Sequence, residues 1–120
     1  MSAAENKLLA WRVYDAINKQ DLEALEALFD PNIIRHAMGE IGIEHAKQAV
    51  IAAFAKSPGR HFVVEDLVAE EDRVALRISI YGDAIATEPQ AIIMEIFRFE
   101  NGRVVEIWGA GGAVRPQPYR

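Results

Sequence analysis

Glu95 is the residue whose sequence surroundings point most directly to chemistry. Alternation along the β-prone run from Gln90 to Phe99 places it on the same strand face as Phe97 and Phe99, which is apolar. Ionisation is harder for a carboxyl group held against apolar side chains, so its pKa rises toward neutrality. We therefore predict that Glu95 serves as an acid, a base or a hydrogen-bond donor in a pocket.

The turn that follows predicts a neighbour for Glu95. Asn101-Gly102 is a two-residue hairpin signal, because both residues tolerate positive φ. The regular hairpin that it implies sets Glu95 directly opposite Trp108, so we expect an indole against the carboxyl group. Two other interpretations stay open. Glu95 pairs with a basic residue such as Arg77, or it faces water at the mouth of the fold.

His36 is the second candidate for proton transfer. It follows a short β-prone run and precedes a loose segment, 37–42, that contains two glycines, an arrangement suited to aiming a side chain into a pocket. Imidazole is the side chain best suited to proton transfer near neutral pH. The alternative is a surface or structural histidine. His45 and His61, at a helix start and a strand start, are expected outside the site.

Several classes of function find no motif in this chain. With no cysteine, no HxxxH, HxH or HExxH spacing and no GxSxG elbow, neither a metal site nor a hydrolase triad is expected. No glycine-rich loop precedes a helix, so no nucleotide cofactor is expected. The net charge of -5, with 13 scattered Lys and Arg, argues against nucleic acid. Without a signal peptide or a long apolar run, a cytoplasmic protein with no membrane partner is expected.

The elements predicted from periodicity form one domain over residues 1–120, with a core at about 8–108. Helices are expected at 4–18, 22–29 and 44–56, followed after a short strand at 33–36 by strands at 61–69, 73–81, 90–99 and 103–108. Residues 109–120 are expected to be a loop or an extended arm. The predicted class is α+β, a curved antiparallel sheet packed against three N-terminal helices.

Aromatic side chains at these spacings form either a core or the walls of a pocket. We name four as wall residues that would contact a substrate: Tyr14, Phe54, Phe97 and Trp108. On the opposite sheet face, four apolar side chains would be exposed to water: Met94, Ile96, Val105 and Ile107. This exposure predicts a homodimer formed through that face.

Three segments carry a resemblance to a known family: YDAINKQDLEALEALFDPNIIRH, EDLVAEEDRVALR and MEIFRFENGRVVEIW. Their order and spacing resemble the ketosteroid-isomerase and SnoaL-like polyketide-cyclase superfamily, also called nuclear-transport-factor-two-like, over about Leu8 to Trp108. The resemblance implies a cone-shaped fold. It also implies that Glu95, at a position where the family usually has Asp, projects into the cone as an acid/base group or oxyanion donor, and that His36 occupies the base position.

The chain also departs from the family's patterns. The catalytic tyrosine of ketosteroid isomerases falls at or beside Val13, one step from Tyr14. The His that often follows the strand matching Val74 to Tyr81 in SnoaL-like cyclases is missing at Gly82-Asp83-Ala84. Arg77-Ile78-Ser79 lacks the Asp of limonene-epoxide-hydrolase-like members.

The resemblance implies a cofactor-independent enzyme acting on a small, largely apolar carbonyl compound, as an isomerase or an aldol-type cyclase. His36 would be the base and protonated Glu95 the donor to the oxyanion, or the two would exchange roles. One alternative is a non-catalytic ligand-binding or dimerisation module with the same cone. Another is epoxide opening by water, which needs a second carboxylate near Glu95, with Glu106 as the candidate.

Overall fold

Two of the three helices in the described residues begin at a side-chain cap. In a computed structural model, which describes residues 1–115, α1 (Ala3–Asn18) starts with a capping box in which Ser2 and Glu5 each accept a hydrogen bond from the other's backbone N–H. α2 (Leu22–Leu28) is capped by the Asp21 carboxylate. α3 spans Ile43–Lys56. All three predicted helices are confirmed, with bounds that differ by one residue at most.

Within the described residues, six strands form one curved sheet in the order β2-β1-β6-β5-β4-β3. The strands are β1 (Phe29–Arg35), β2 (Glu40–Ile41), β3 (His61–Glu70), β4 (Arg73–Tyr81), β5 (Ala91–Glu100) and β6 (Arg103–Ala113). Neighbours are antiparallel except β1 and β6, which run parallel, so the sheet is mixed rather than wholly antiparallel. The predicted α+β class, with three helices on one sheet, is confirmed.

The inner sheet face packs against the helices and holds the core. Alternation along β4 buries every second side chain, and the same face of β5 and β6 continues that layer. Residues at or below 1 % exposure come from α1, α2 and four strands, which makes the core continuous: Ala10, Val13, Leu25, Ile33, Val74, Leu76, Ile78, Phe97 and Val104.

A β-bulge in β6 changes which side chains face inward. The turn itself is as predicted, with φ of 51° at Asn101 and 78° at Gly102. Phe99 pairs with Val104, but Arg98 then pairs with Glu106, so Val105 is an extra residue. Every later side chain of β6 is moved to the opposite face from the one that strict alternation predicts.

Two predictions fail because of this bulge. Glu95 pairs with Gly109, and Trp108 pairs with Ile96 on the outer face, so the predicted contact between Glu95 and Trp108 is wrong. Ile107, which is predicted to be exposed to solvent, is buried, with 8 % of its surface exposed. Met94 and Ile96 are exposed as expected, and homodimer formation through their face stays a prediction.

The strand limits correct the sequence analysis in three further places. β6 continues to Ala113, so the predicted loop at 109–120 begins with five residues of strand, and 116–120 lie outside the described residues. Pro31 lies within β1, and β2 is a strand that the sequence analysis does not predict.

Across residues 1–115, every helix falls short of the length and apolar character that a bilayer span requires.

Candidate active site

A cavity of about 200 Å³ lies between the helices and the inner sheet face. Among the described residues that line it, only Tyr14, Arg35 and Glu95 have polar side chains. The remaining lining is aliphatic or aromatic and comes from all three helices and four strands: Val13, Ile17, Leu25, Phe29, Ala46, Ala49, Val50, Ala53, Phe54, Phe62, Ile93, Phe97 and Ile107. Three polar groups thus converge in an apolar space, the usual composition of a small-molecule site.

Glu95 projects from β5 into this cavity. It pairs with Leu76 on one side and with Gly109 on the other. A Cβ at Gly109 would lie 3.3 Å from Cγ of Glu95 and 3.5 Å from its Oε2, so the missing side chain leaves room for the carboxyl group. Burial raises the pKa of Glu95, while the hydrogen bond from Tyr14 and the charge of Arg35 act in the opposite direction.

Tyr14 holds the carboxyl group from the helix side. Its hydroxyl donates a hydrogen bond to Oε1 of Glu95, and its ring stacks on Phe97 with centroids 6.4 Å apart. Burial, followed by the negative charge of Glu95, raises the pKa of Tyr14 well above its ordinary value. The raised pKa favours the protonated hydroxyl of Tyr14, which can act as a hydrogen-bond donor. From the sequence Tyr14 is predicted only as a wall residue, and its hydrogen bond to Glu95 is not predicted.

Arg35 is the functional candidate that the sequence analysis missed. It ends β1, pairs with Ile107 of β6 and Glu40 of β2, and donates from Nη1 to Oε2 of Glu40 at 2.9 Å. A usable signal was present in the sequence. Alternation from the apolar Ile33 places Arg35 inward and the next residue outward.

His36 lies outside the cavity. It begins a short 3₁₀ turn (His36–Met38) after β1, and its ring stacks on Trp108 with centroids 4.8 Å apart and 4° between planes. Its Nε2 lies 2.7 Å from Oε2 of Glu106. The expectation that His36 meets Glu95 in the pocket is therefore wrong, because the strand ends with Arg35 facing inward.

Trp108 and Glu106 belong to the same outer cluster as His36. Arg98 donates from Nε to Oε1 of Glu106 at 2.7 Å, and the guanidinium of Arg73 lies 5.6 Å from the Trp108 ring centroid. The prediction of Trp108 as a pocket wall is thus wrong, whereas Phe54, Phe97 and Tyr14 do line the cavity. Their contact with a substrate stays a prediction.

The outer placement of Glu106 also removes the second carboxylate that epoxide opening would need. Glu95 is the one carboxylate among the described lining residues. Within residues 1–115, no cluster of three or more His, Cys, Asp or Glu side chains is arranged to hold a metal ion.

Three helices packed on a curved, unclosed sheet around an apolar cavity define a cone-shaped domain of the nuclear-transport-factor-two-like class. The chain belongs to the SnoaL-like domain family, which matches it over residues 10–107. No protein of curated function matches its sequence.

Solved structures share the fold and carry varied names. IdmH from Streptomyces antibioticus, a proposed polyketide cyclase, is 23% identical with a TM-score of 0.77, covering 88% of this chain and 91% of that one. AclR from Streptomyces galilaeus, a proposed hydroxylase, is 27% identical with a TM-score of 0.75, covering 93% and 81%. A proposed ketosteroid isomerase from Kribbella flavida is 15% identical with a TM-score of 0.76, covering 97% and 84%.

Proposed function

We propose that this protein is a cofactor-independent enzyme that moves a proton next to the carbonyl group of a small, largely apolar compound. The observation that carries the proposal is the carboxyl group of Glu95, which is the one carboxyl group among the described residues of the apolar cavity and accepts a hydrogen bond from Tyr14. Its raised pKa makes the carboxylate a stronger base than an exposed glutamate and brings it closer to the optimum for proton transfer near neutral pH.

The two side chains have complementary roles. The Glu95 carboxylate removes a proton from the carbon next to the carbonyl. The electron pair of that C–H bond forms the carbon–carbon double bond of the enolate, and the π pair of the C=O bond moves onto the oxygen. Tyr14 turns its hydroxyl from Glu95 to that oxygen and stabilises the enolate, the action of an oxyanion hole. Because Tyr14 is buried with its pKa raised, it donates a hydrogen bond without losing its proton.

Two outcomes of the enolate are compatible with these groups. In an isomerisation, protonated Glu95 returns the proton to a different carbon of the conjugated system. In an aldol cyclisation, the enolate carbon attacks a second carbonyl of the same molecule, and Glu95 protonates the new alkoxide. The structural neighbours named as a polyketide cyclase and a ketosteroid isomerase support this choice of reactions.

The volume of the cavity supports a small compound as the substrate. Its volume of about 200 Å³ lies below the roughly 300–1,000 Å³ of sites for drug-sized ligands. An apolar cavity on the order of 150 Å³ admits benzene, so a compound with one ring fits here.

The test is exchange of α-protons, a step common to both reactions. Cyclohexanone in D₂O with the protein would be followed by ¹H NMR as the signals of its α-protons disappear. We expect protein-catalysed exchange that falls by about two orders of magnitude or more in Glu95→Gln and by roughly 10²-fold in Tyr14→Phe.

Glu106→Gln is the matched control, because it makes the same chemical change on the outer sheet face. Its exchange rate should equal that of the unchanged protein. Exchange that survives Glu95→Gln, or that falls equally in Glu106→Gln, would contradict the role of Glu95. Tight ligand retention without exchange would instead indicate a binding module.

A further inference from the structure

Arg35 has hydrogen-bonding capacity that the fold does not use. A guanidinium group carries five N–H donors in a planar fork. Among the described residues, Glu40 is its one hydrogen-bond partner, and it accepts from Nη1 alone. The side chain is 21 % exposed and lines an apolar cavity, so the neighbouring side chains offer few acceptors to its remaining N–H donors.

The position of this fork is set by the backbone. Arg35 is held in the sheet between Ile107 of β6 and Glu40 of β2. Glu40 approaches from the short edge strand and is itself 26 % exposed. The ion pair thus holds Nη1 of the guanidinium, while the same side chain lines the cavity.

A carboxylate is the group that best satisfies such a fork. Arginine binds carboxylates through two parallel hydrogen bonds, and these charge-assisted bonds are stronger away from water. A neutral apolar ligand would instead strip water from the donors and leave them unpaired. A dianion such as phosphate is disfavoured, because Arg35 is the single cation in the described lining and Glu40 and Glu95 lie beside it.

We propose that the substrate is a small oxo acid, whose carboxylate is bound by Arg35 while its ketone carbonyl lies between Tyr14 and Glu95. This substrate class rests on the proton-transfer function proposed above. The bound carboxylate would fix the orientation of the substrate and so decide which α-proton faces Glu95.

A bound carboxylate would also interact with Glu95. Two negative charges in one apolar cavity repel, so the ligand should bind more tightly when Glu95 is protonated. Binding should therefore weaken as the pH rises. Glu95→Gln, which removes the charge but keeps the shape, should bind the carboxylate at least as tightly as the unchanged protein.

The experiment compares two probes that differ in charge but hardly in shape, 4-oxocyclohexane-1-carboxylate and 4-oxocyclohexane-1-carboxamide, by isothermal titration calorimetry. We expect the unchanged protein to prefer the carboxylate by roughly tenfold or more, as expected for charge-assisted hydrogen bonds. Arg35→Met should abolish the preference, Arg35→Lys should retain part of it, and Arg98→Met on the outer face should keep it in full.

Equal affinity for the two probes in the unchanged protein, or a preference that persists in Arg35→Met, would overturn the inference. The first comparison needs no variant, and Arg35→Lys keeps a cation if Arg35→Met does not fold. A carboxylate preference without any α-proton exchange would leave the binding site standing and remove the enzyme proposal. Exchange of cyclohexanone without a carboxylate preference would do the reverse.

Discussion

Glu95 and Glu106 lie on opposite faces of the same sheet, and their surroundings drive their pKa values in opposite directions. Glu95 faces the cavity, where burial raises its pKa against the hydrogen bond from Tyr14. Glu106 faces outward, where hydrogen bonds from His36 and then from Arg98 lower its pKa. Each carboxyl group has an aromatic partner and an arginine nearby, so residue type alone does not separate them.

The difference is in how many direct donors each carboxylate receives. Glu106 has hydrogen bonds to both oxygens, one from an imidazole and one from a guanidinium. Glu95 has one from a neutral phenol, and Arg35 acts on it only through space. A buried carboxyl group with few hydrogen-bond donors binds its proton more tightly, which suits proton transfer. A carboxylate with hydrogen bonds to both oxygens stays ionised and stabilises the structure.

Truncating one side chain on each face of the sheet should give the largest difference in unfolding free energy between two variants. Phe97→Ala removes a ring that is 1 % exposed in the inner layer and should cost about 3–5 kcal/mol of unfolding free energy. Ile96→Ala removes a side chain that is 42 % exposed on the outer face and should change it by about 0.5 kcal/mol or less. Urea unfolding of both variants measures this.

The same pair tests whether the outer face is covered in solution. A homodimer formed through this face would bury Ile96, so its truncation would then cost far more than a surface change. Unfolding at two protein concentrations separates the cases, because the stability of a dimer depends on concentration. If the protein is a monomer and both variants lose the same unfolding free energy, the distinction between a buried inner face and an exposed outer face would be contradicted.

The second contrast is the pH dependence set by Glu95. Its pKa is higher in the folded than in the unfolded chain, so the folded state binds more protons between the ordinary value of 4.5 and the raised one. The unfolding free energy should therefore fall as pH rises through this window, by about 1.4 kcal/mol for each pH unit that separates the folded from the unfolded pKa. Glu95→Gln does not titrate and should escape this loss.

Urea midpoints of the unchanged protein and Glu95→Gln, measured from pH 4 to about pH 8, give the test. The variant should gain relative stability as the pH rises and keep that gain above the raised pKa. Two parallel curves would show that the carboxyl group is not perturbed by its surroundings.

The fold was predictable because its signals are local. Helical periodicity marks the three helices, period-two runs mark the strands, and Asn101-Gly102 marks a turn. The presence of Glu95 on the inner face followed from the same alternation. Local pattern is therefore enough to predict most of the elements and one half of the central hydrogen-bonded pair.

The rest of the site depends on a non-local feature. Strict alternation from Arg103 to Trp108 puts Val104, Glu106 and Trp108 on one face, and the sequence by itself does not identify Val105 as an extra residue. The bulge arises from pairing between strands, and it removes Trp108 from the pocket wall. Likewise, the hydrogen bond from Tyr14 to Glu95 joins residues 81 positions apart, which periodicity cannot specify.

Glu106→Gln should give the smallest effect, with the opposite sign to that of Glu95→Gln. Because the folded pKa of Glu106 is lowered, its contribution to stability is present above the ordinary pKa and is lost as pH falls through the lowered value. The unchanged protein should thus be slightly more stable than Glu106→Gln at pH 7 and lose that advantage on acidification. Water reaches this cluster, which keeps the difference small.

The same urea series measures the Glu106 effect, with His36→Gln as a control that removes one of its two partners. That control should show part of the loss, since Arg98 still holds the other carboxylate oxygen. For each variant, the difference in unfolding free energy from the unchanged protein is plotted against pH. Opposite slopes for Glu95→Gln and Glu106→Gln would distinguish a carboxyl group whose pKa is shifted by burial from one whose pKa is shifted by hydrogen-bond donors. If the slopes had the same sign, burial would have to dominate on both faces, and the inner carboxyl group would lose its distinction as the proton-transfer group.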